Sequence, residues 1–255
     1  MKIMTLNTWG GIAGKEQLLS FFEKHKAEVD IFCLQEIWAA PYPDLENQDV
    51  GGKKLKNENI MVYGKDDITG VLDGHIAYFK PHYLDHYGLL MTVKKNINII
   101  KEGDVFVHKY KEYIPDGDSG KHARNIQYVQ IPFGTTTLTV INFHGLWNGG
   151  GKTDTVDRID QSFNIIKFLT TCKGEVILLG DFNLLPHTES LVMIEDLGLR
   201  NLVKEYGVTS TRTSFYKKPE RFADYILVSN GIQVKDFGVL PDEVSDHSPL
   251  FLEIE

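Results

Sequence analysis

Six apolar runs in this chain end or begin in polar residues that a buried strand does not need, and that regularity constrains its fold more than any other feature. Lys2-Ile3-Met4-Thr5-Leu6 runs into Asn7, Ile31-Phe32-Cys33-Leu34 into Gln35-Glu36, and Leu138 to Phe143 into His144. Val176-Ile177-Leu178-Leu179 runs into Gly180-Asp181-Phe182-Asn183, Ala223 to Val228 carries Asp224 at its start, and Ser245-Asp246-His247-Ser248-Pro249 precedes the closing run Leu250 to Ile254. One Asp-His neighbour pair is more often a solvated turn than a site. Six strand-like runs that deliver amides, carboxylates and imidazoles to their ends instead describe sheets with one chemically equipped rim.

These residues run from Asn7 to His247, so 255 residues are expected to form one domain, 1–255, with 42% hydrophobic content to fill its core. The formal charge of -8 and a sequence pI of about 5.6 give no global positive field for a polyanion, although a divalent metal and a few local cations could supply charge where a phosphate sits. Lys53-Lys54 with Lys56, and Lys217-Lys218 with Arg221, are such clusters, and solvated loops are the simpler account of both. Cys33 and Cys172 lack metal-ligand spacing and read as small core residues of a reducing compartment. No basic and apolar leader precedes Lys2 and no run reaches the ~18 apolar residues of a membrane span, so a cytoplasmic location is expected.

In chain order, Lys15 to Lys26 places Leu18, Leu19 and Phe22 on one helical face, giving strand, helix, strand as the opening unit. Trp38 to Pro43 reads as a loop, and residues 44–70 as a polar, Gly/Lys-rich border to the substrate with little core. From His75 to Gln130 short strands punctuated by Gly, Pro and Asp imply antiparallel pairing, hence mixed sheets. Gly149-Gly150-Gly151-Lys152-Thr153 fails as a phosphate-binding P-loop because Leu146 stands where the first Gly is required. It reads instead as a flexible loop before a helix capped near Thr153 to Thr155, with Ile159, Phe163, Ile166 and Leu169 as the apolar stripe. A short helix is expected around Glu189 to Leu197, then a polar stretch to Arg221 and two final strands.

Glu36 is the strongest hard-cation ligand candidate, since carboxylate oxygen suits Mg²⁺, with Asn7 and Asp246 to complete or orient the shell. His247 beside Asp246, with Asp224 available, allows an imidazole fixed by a carboxylate. Asp181 and Asn183 could hold a water for in-line attack and donate to a phosphoryl oxygen, which is the chemistry of metal-assisted phosphoester hydrolysis. His144 is a further acid/base or phosphate-binding candidate.

Asn7, Leu34-Gln35-Glu36, Asn142-Phe143-His144, Gly180 to Asn183, Asp224-Tyr225-Ile226 and Ser245 to Pro249 closely resemble, in order and spacing, the endonuclease/exonuclease/phosphatase superfamily, over nearly the whole chain. The resemblance implies an α/β (α+β) fold, a four-layer α/β sandwich of two mixed β-sheets flanked by helices. It implies a divalent-metal phosphoesterase in which Glu36, helped by Asn7 and Asp246, binds Mg²⁺ (Mn²⁺ as substitute). Asp181 and Asn183 then serve the attacking water and the phosphoryl oxygen, and Asp224 orients His247. His144 falls where the deoxyribonuclease and sphingomyelinase branches also place His, and Arg124 where an Arg of deoxyribonuclease contacts phosphate. No extended 5-phosphatase signature, leucine-rich repeat or membrane anchor is present. The expectation is a monomeric nuclease-type phosphodiesterase acting on a phosphodiester, nucleic acid among the candidates. The alternatives are a small-molecule or lipid-headgroup phosphoesterase and a noncatalytic binding module of the same fold.

Overall fold

The computed structural model describes residues 1–41, 46–50 and 53–255, without the side chains of 49, 50 and 53. One six-stranded sheet runs in the order β13 (Val234–Val239), β14 (Leu250–Ile254), β1 (Lys2–Asn7), β2 (Ile31–Trp38), β6 (Tyr87–Lys94), β5 (His75–Tyr83). The other runs β11 (Leu199–Asn201), β12 (Asp224–Ser229), β10 (Glu175–Asp181), β9 (Thr136–His144), β8 (Arg124–Phe133), β7 (Lys101–His108). A small pair, β3 (Asp49–Val50) and β4 (Lys53–Lys54), stands apart.

Both large sheets repeat one pattern, although the sequence holds no visible repeat. The only parallel pairs among the described strands are central, β1 with β2 and β10 with β9, and every other neighbour is antiparallel. A parallel pair needs a crossover. α1 (Lys15–His25) makes it between β1 and β2, and α3 (Val156–Leu169) between β9 and β10.

Alternation along the strands sorts the layers. In β2, Ile31 and Cys33 face the main core between the sheets, whereas Phe32 and Leu34 face outward onto Leu18, Phe21 and Phe22 of α1 and Ile68 of α2 (Gly64–Val71). On the opposite side Ile165 and Leu169 of α3 and Leu191 and Ile194 of α4 (Glu189–Glu195) close the main core. With α5 (Leu202–Glu205), five α-helices flank the two mixed sheets among the described residues, so the expected four-layer α/β sandwich is the observed one. Main-chain pairing of β1 with β14 joins the two chain ends.

Several local expectations need correction. Trp38 belongs to β2 and is buried, while residues 42–45, which take in the end of the expected Trp38 to Pro43 loop and the start of the 44–70 stretch, lie outside those described. The stretch 44–70 contributes core after all: Leu55, Met61 and Ile68 are buried, and α2 forms there because a Gly/Asp/Lys-rich helix can present a single apolar edge. β7, within the His75 to Gln130 stretch of short strands, is an edge strand whose exposed residues include Lys101 and Glu102, as an edge tolerates. The buried face of α3 is Arg158, Gln161, Ser162, Ile165 and Leu169, and Phe163 is exposed. β11 and α5 occupy part of the supposed polar stretch before Arg221.

Candidate active site

The strand ends named by the sequence meet in one recess. Asn7 closes β1, and its side-chain amide donates to Glu36 Oε1 (3.0 Å) and to Asp181 Oδ2 (2.9 Å). One amide thus holds together two acids from different sheets. Its Oδ1 is fixed by the Trp9 N–H at 2.9 Å, and its carbonyl accepts from Ser245 Oγ at 2.7 Å, which in turn accepts the His247 N–H at 3.2 Å. The first and last strands are therefore tied at the site itself.

Glu36 reaches the recess through backbone irregularity. It stands at φ 59° inside β2, where the pairing with β6 shifts register between Leu34 and Ile37. Such a bulge re-aims one side chain without ending the strand. Gln35 points into the inter-sheet core and Glu36 turns into the recess. Asn183, at φ 53°, is the counterpart after β10: its N–H donates to Asp181 Oδ1 at 2.8 Å and its Nδ2 to Gly145 O at 3.2 Å. Gly180 makes that corner possible, because at φ 133° a Cβ there would run into the Phe143 carbonyl.

Across from them His247 Nδ1 sits 2.8 and 2.9 Å from the two oxygens of Asp224, whose Oδ2 also accepts from Thr211 Oγ1 at 3.0 Å. The opposite ring nitrogen, Nε2, faces Asp181 Oδ2 at 3.6 Å. Burial and Arg212 oppose charge on His247, but the carboxylates of Asp224, Asp181 and Asp246 prevail and raise its pKa. Burial alone would push the Asp181 carboxyl up, yet His247 and Lys152 hold it well below the usual carboxylate range. Both shifts favour the charged pair, a carboxylate beside an imidazolium. His144 Nε2 lies 3.7 Å from Asp181 Oδ2 and 3.8 Å from Glu36 Oε1, and burial with nearby Arg124 keeps this imidazole neutral.

The donor set fits a hard cation. Asp181, Asp224, His144, Asn183 and Asn7 are at most 5% exposed, whereas the side chains of Glu36 and Asp246 keep 26% and 13%. Recessed carboxylates open to solvent are where a cation would enter. Burial raises the Glu36 pKa, against the Asn7 hydrogen bond and the His247 charge, and Asp246 and Asp181 add to the rise by repulsion. Asp246 Oδ2 accepts from Arg212 Nη1 (3.1 Å), but its Oδ1 is buried without a hydrogen-bond partner. An orphaned carboxylate oxygen among mutually repelling acids is what a divalent ion would relieve. A tighter group, Asp181, Asp224 and His247, has one ligand atom from each within 4.8 Å of the others, though Asp224 already serves His247 and Thr211.

Eight of the nine residues expected from sequence line this recess. The ninth, Arg124, is 2% exposed and lies beneath it, donating to Gly120 O at 3.3 Å and resting against the His122 ring, which stacks on His82 at 4.9 Å between centroids. Sequence reasoning missed Lys152 and Arg212. Lys152 Nζ, 6% exposed, donates to Asn183 Oδ1 at 3.0 Å, and burial lowers its pKa to about 8. Only its place after His144 hinted at this. The Lys217, Lys218 and Arg221 cluster is exposed to solvent.

Solved structures share this architecture. A mannosyl-6-phosphatase of Bacteroides thetaiotaomicron VPI-5482 superposes with a TM-score of 0.75 at 16% identity, over 100% of this chain and 99% of that one. The human Nocturnin catalytic domain with bound sulfate gives 0.68 at 16%, over 100% and 93%. D. rerio TDP2 complexed with single-strand DNA product gives 0.70 at 14%, over 100% and 98%. At such identities the likeness concerns the fold. No curated protein matches the chain in sequence. The pattern of the Endonuclease/Exonuclease/phosphatase family, however, matches residues 4–247, and the chain belongs to that family.

Proposed function

We propose that residues 1–255 form one catalytic domain that hydrolyses a phosphoester by in-line attack of water, with Mg²⁺, or Mn²⁺ in its place, as the required cation. The observation that carries this reading is the Asn7 amide bridging Glu36 and Asp181 while His247, fixed by Asp224, faces Asp181 from the other side. Glu36, oriented by Asn7, and Asp246, held by Arg212, would hold the cation. When bound, such an ion neutralises charge on the phosphate and on the departing oxygen.

The chain's own groups take the remaining roles. Asp181, ionised under all ordinary conditions, accepts the proton of the attacking water as its oxygen bonds to phosphorus and the ester oxygen leaves. The imidazolium of His247 donates to a non-bridging oxygen on which charge grows, and Asp224 and Thr211 keep its ring turned correctly. Neutral His144 offers a ring N–H to another phosphoryl oxygen. Asn183 presents its amide beside Asp181, held by Gly145 O and Lys152. Arg124, buried beneath, contributes positive potential rather than a direct contact.

On substrate, the buried centre supports a small phosphoester, the runner-up from sequence, over a long nucleic acid. A net charge of -8 and the exposure of Lys217, Lys218 and Arg221 to solvent rather than to the site point the same way. A nuclease-type reading rests on one feature, the aromatic pair of Trp9 and Phe215 at the mouth, 6.4 Å between centroids, which could stack a base. The mannosyl-6-phosphatase and TDP2 neighbours lend each reading an example. Free Cys33 and Cys172 support a cytoplasmic setting, and none of the described helices is long and apolar enough to cross a membrane.

The test is turnover of aryl phosphomonoesters and phosphodiesters, sugar phosphates, sphingomyelin, inositol phosphates, RNA and single-stranded, duplex and abasic DNA, with Mg²⁺ and with excess EDTA. Mg²⁺-dependent hydrolysis lost in EDTA is expected. Undiminished hydrolysis in EDTA would refute the cation requirement, and no turnover with metal bound would favour the noncatalytic module.

A further inference from the structure

Two buried cations flank the reacting centre without belonging to the motif by which the centre was found. Lys152 arrives on the loop between β9 and α3, Arg212 on the loop between α5 and β12. Neither is there by accident of packing.

The Lys152 loop is built around a second buried cation. Arg158 of α3, with no exposed surface, donates from Nε to Leu146 O at 3.2 Å, from Nη1 to Thr153 O at 2.5 Å and from Nη2 to Gly151 O at 2.7 Å. Gln161 Oε1 accepts the Leu146 N–H, and Leu185 N–H donates to Lys152 O. A glycine-rich segment that reads as flexible is therefore wrapped on a guanidinium, and the wrapping delivers one ammonium to Asn183. That ammonium has three donors and gives one to Asn183 Oδ1. Arg212 is held by Asp246 Oδ2 on one side and by the face of Tyr216 on another, 4.1 Å from its centroid, while its main chain bridges to His247. Its buried Nε has no hydrogen-bond partner.

The unspent capacity of these two cations points to the substrate. Lys152, buried, hydrogen-bonds a neutral amide oxygen rather than a carboxylate, and Arg212 keeps a buried N–H without a partner. Two such cations beside one centre suit a ligand with two negative charges, as a phosphomonoester carries above its second pKa of about 6, twice the charge of a phosphodiester. Building on the phosphoester-hydrolase reading above, we infer that Lys152 and Arg212 grip a terminal, doubly charged phosphate and select phosphomonoesters over phosphodiesters. Lys152 has a second, positioning role: by occupying Asn183 Oδ1 it leaves the Asn183 amide N–H side for the phosphoryl group.

The experiment compares kcat/KM for p-nitrophenyl phosphate and bis(p-nitrophenyl) phosphate in Mg²⁺ for the wild type, Lys152→Met, Lys152→Arg and Arg212→Met. Calorimetric binding of inorganic phosphate and of dimethyl phosphate to the same proteins is measured alongside, with melting curves to confirm folding. The wild type should favour the monoester and bind phosphate over dimethyl phosphate. Lys152→Met and Arg212→Met should narrow the monoester preference and weaken phosphate binding by ~10-fold or more each, as loss of a charge-assisted contact predicts, and Lys152→Arg should retain most of both. Equal losses on both esters with phosphate binding unchanged would overturn the assignment, as would a wild type that binds the two anions alike. If neither ester turns over, the reaction class fails, and the binding comparison still decides the role of the two cations.

Discussion

Two buried polar regions lie a few ångströms apart in this protein, and they differ in kind. Between the sheets, Gln35 Nε2 donates to Asn142 Oδ1 at 2.7 Å and to Thr5 Oγ1 at 3.1 Å, Asn142 Nδ2 donates to Leu34 O and Gln127 Oε1, and Gln127 Nε2 to Tyr78 O. These groups are neutral, and each of the three amides has its Nδ2 or Nε2 engaged. One residue along, Glu36 enters a centre of four carboxylates, in which Asp246 Oδ1 has no hydrogen-bond partner. Neutral amides, of which only Gln35 Oε1 lacks a hydrogen-bond partner, fix how the sheets stack. Charged groups left unbalanced store interaction for something that has yet to bind.

The sharpest way to break this comparison is to alter each region and read stability and turnover separately. Asp181→Asn and His247→Ala should lower kcat by ~10³-fold, within the range for general acid/base groups, while the protein still folds, with a modest fall in melting temperature because the fold favours the charged form of each group. Near-wild-type turnover in His247→Ala would remove that residue from the chemistry. Glu36→Gln should raise the Mg²⁺ concentration for half-maximal activity by ~10- to 100-fold, checked by metal titration, with a smaller effect on kcat at saturation.

Asn142→Leu should do the opposite. Stranding Gln127 Oε1 costs about 1–3 kcal/mol for a buried group left unpaired, which for a chain of this size lowers the melting temperature by several degrees. Turnover per folded molecule should stay close to wild type. A large loss of kcat without a change in melting would merge the two regions and defeat the distinction.

The smallest expected effect is in pH. Lys152 is needed as a cation, and its pKa is lowered to about 8, so the protonated form is present below that value and lost above it. Monoester hydrolysis should therefore decline as pH rises through about 8. In Lys152→Arg the decline should move to higher pH because the guanidinium stays charged. A limb unchanged in that variant would assign it to another group.

Much of this was legible because strand alternation and the polar residues ending each run are properties of short segments. Asn7, Glu36, His144, Asp181, Asn183, Asp224, Asp246 and His247 could be named from those ends alone. What could not be read depends on tertiary placement. Nothing local to Glu36 announces a positive φ, and nothing in a polar stretch announces that Arg212 turns inward. Arg158 misled for a physical reason: a charge on a helix is ordinarily solvated, so the stripe was drawn through Phe163 instead. Arg158, Gln161 and Ser162 do share the spacing of Ile165 and Leu169. That polar continuation of an apolar face was the available sign that the loop before the helix is anchored from below.

The most direct test of the central claim, that the unbalanced acids at the strand ends are a cation-dependent phosphoester-cleaving centre, is calorimetric titration of Mg²⁺ into the metal-stripped protein paired with its rate on an aryl phosphoester. Binding and activity should rise together and both should weaken in Glu36→Gln. Full activity in the stripped protein, or Mg²⁺ binding that Glu36→Gln leaves untouched, would contradict it.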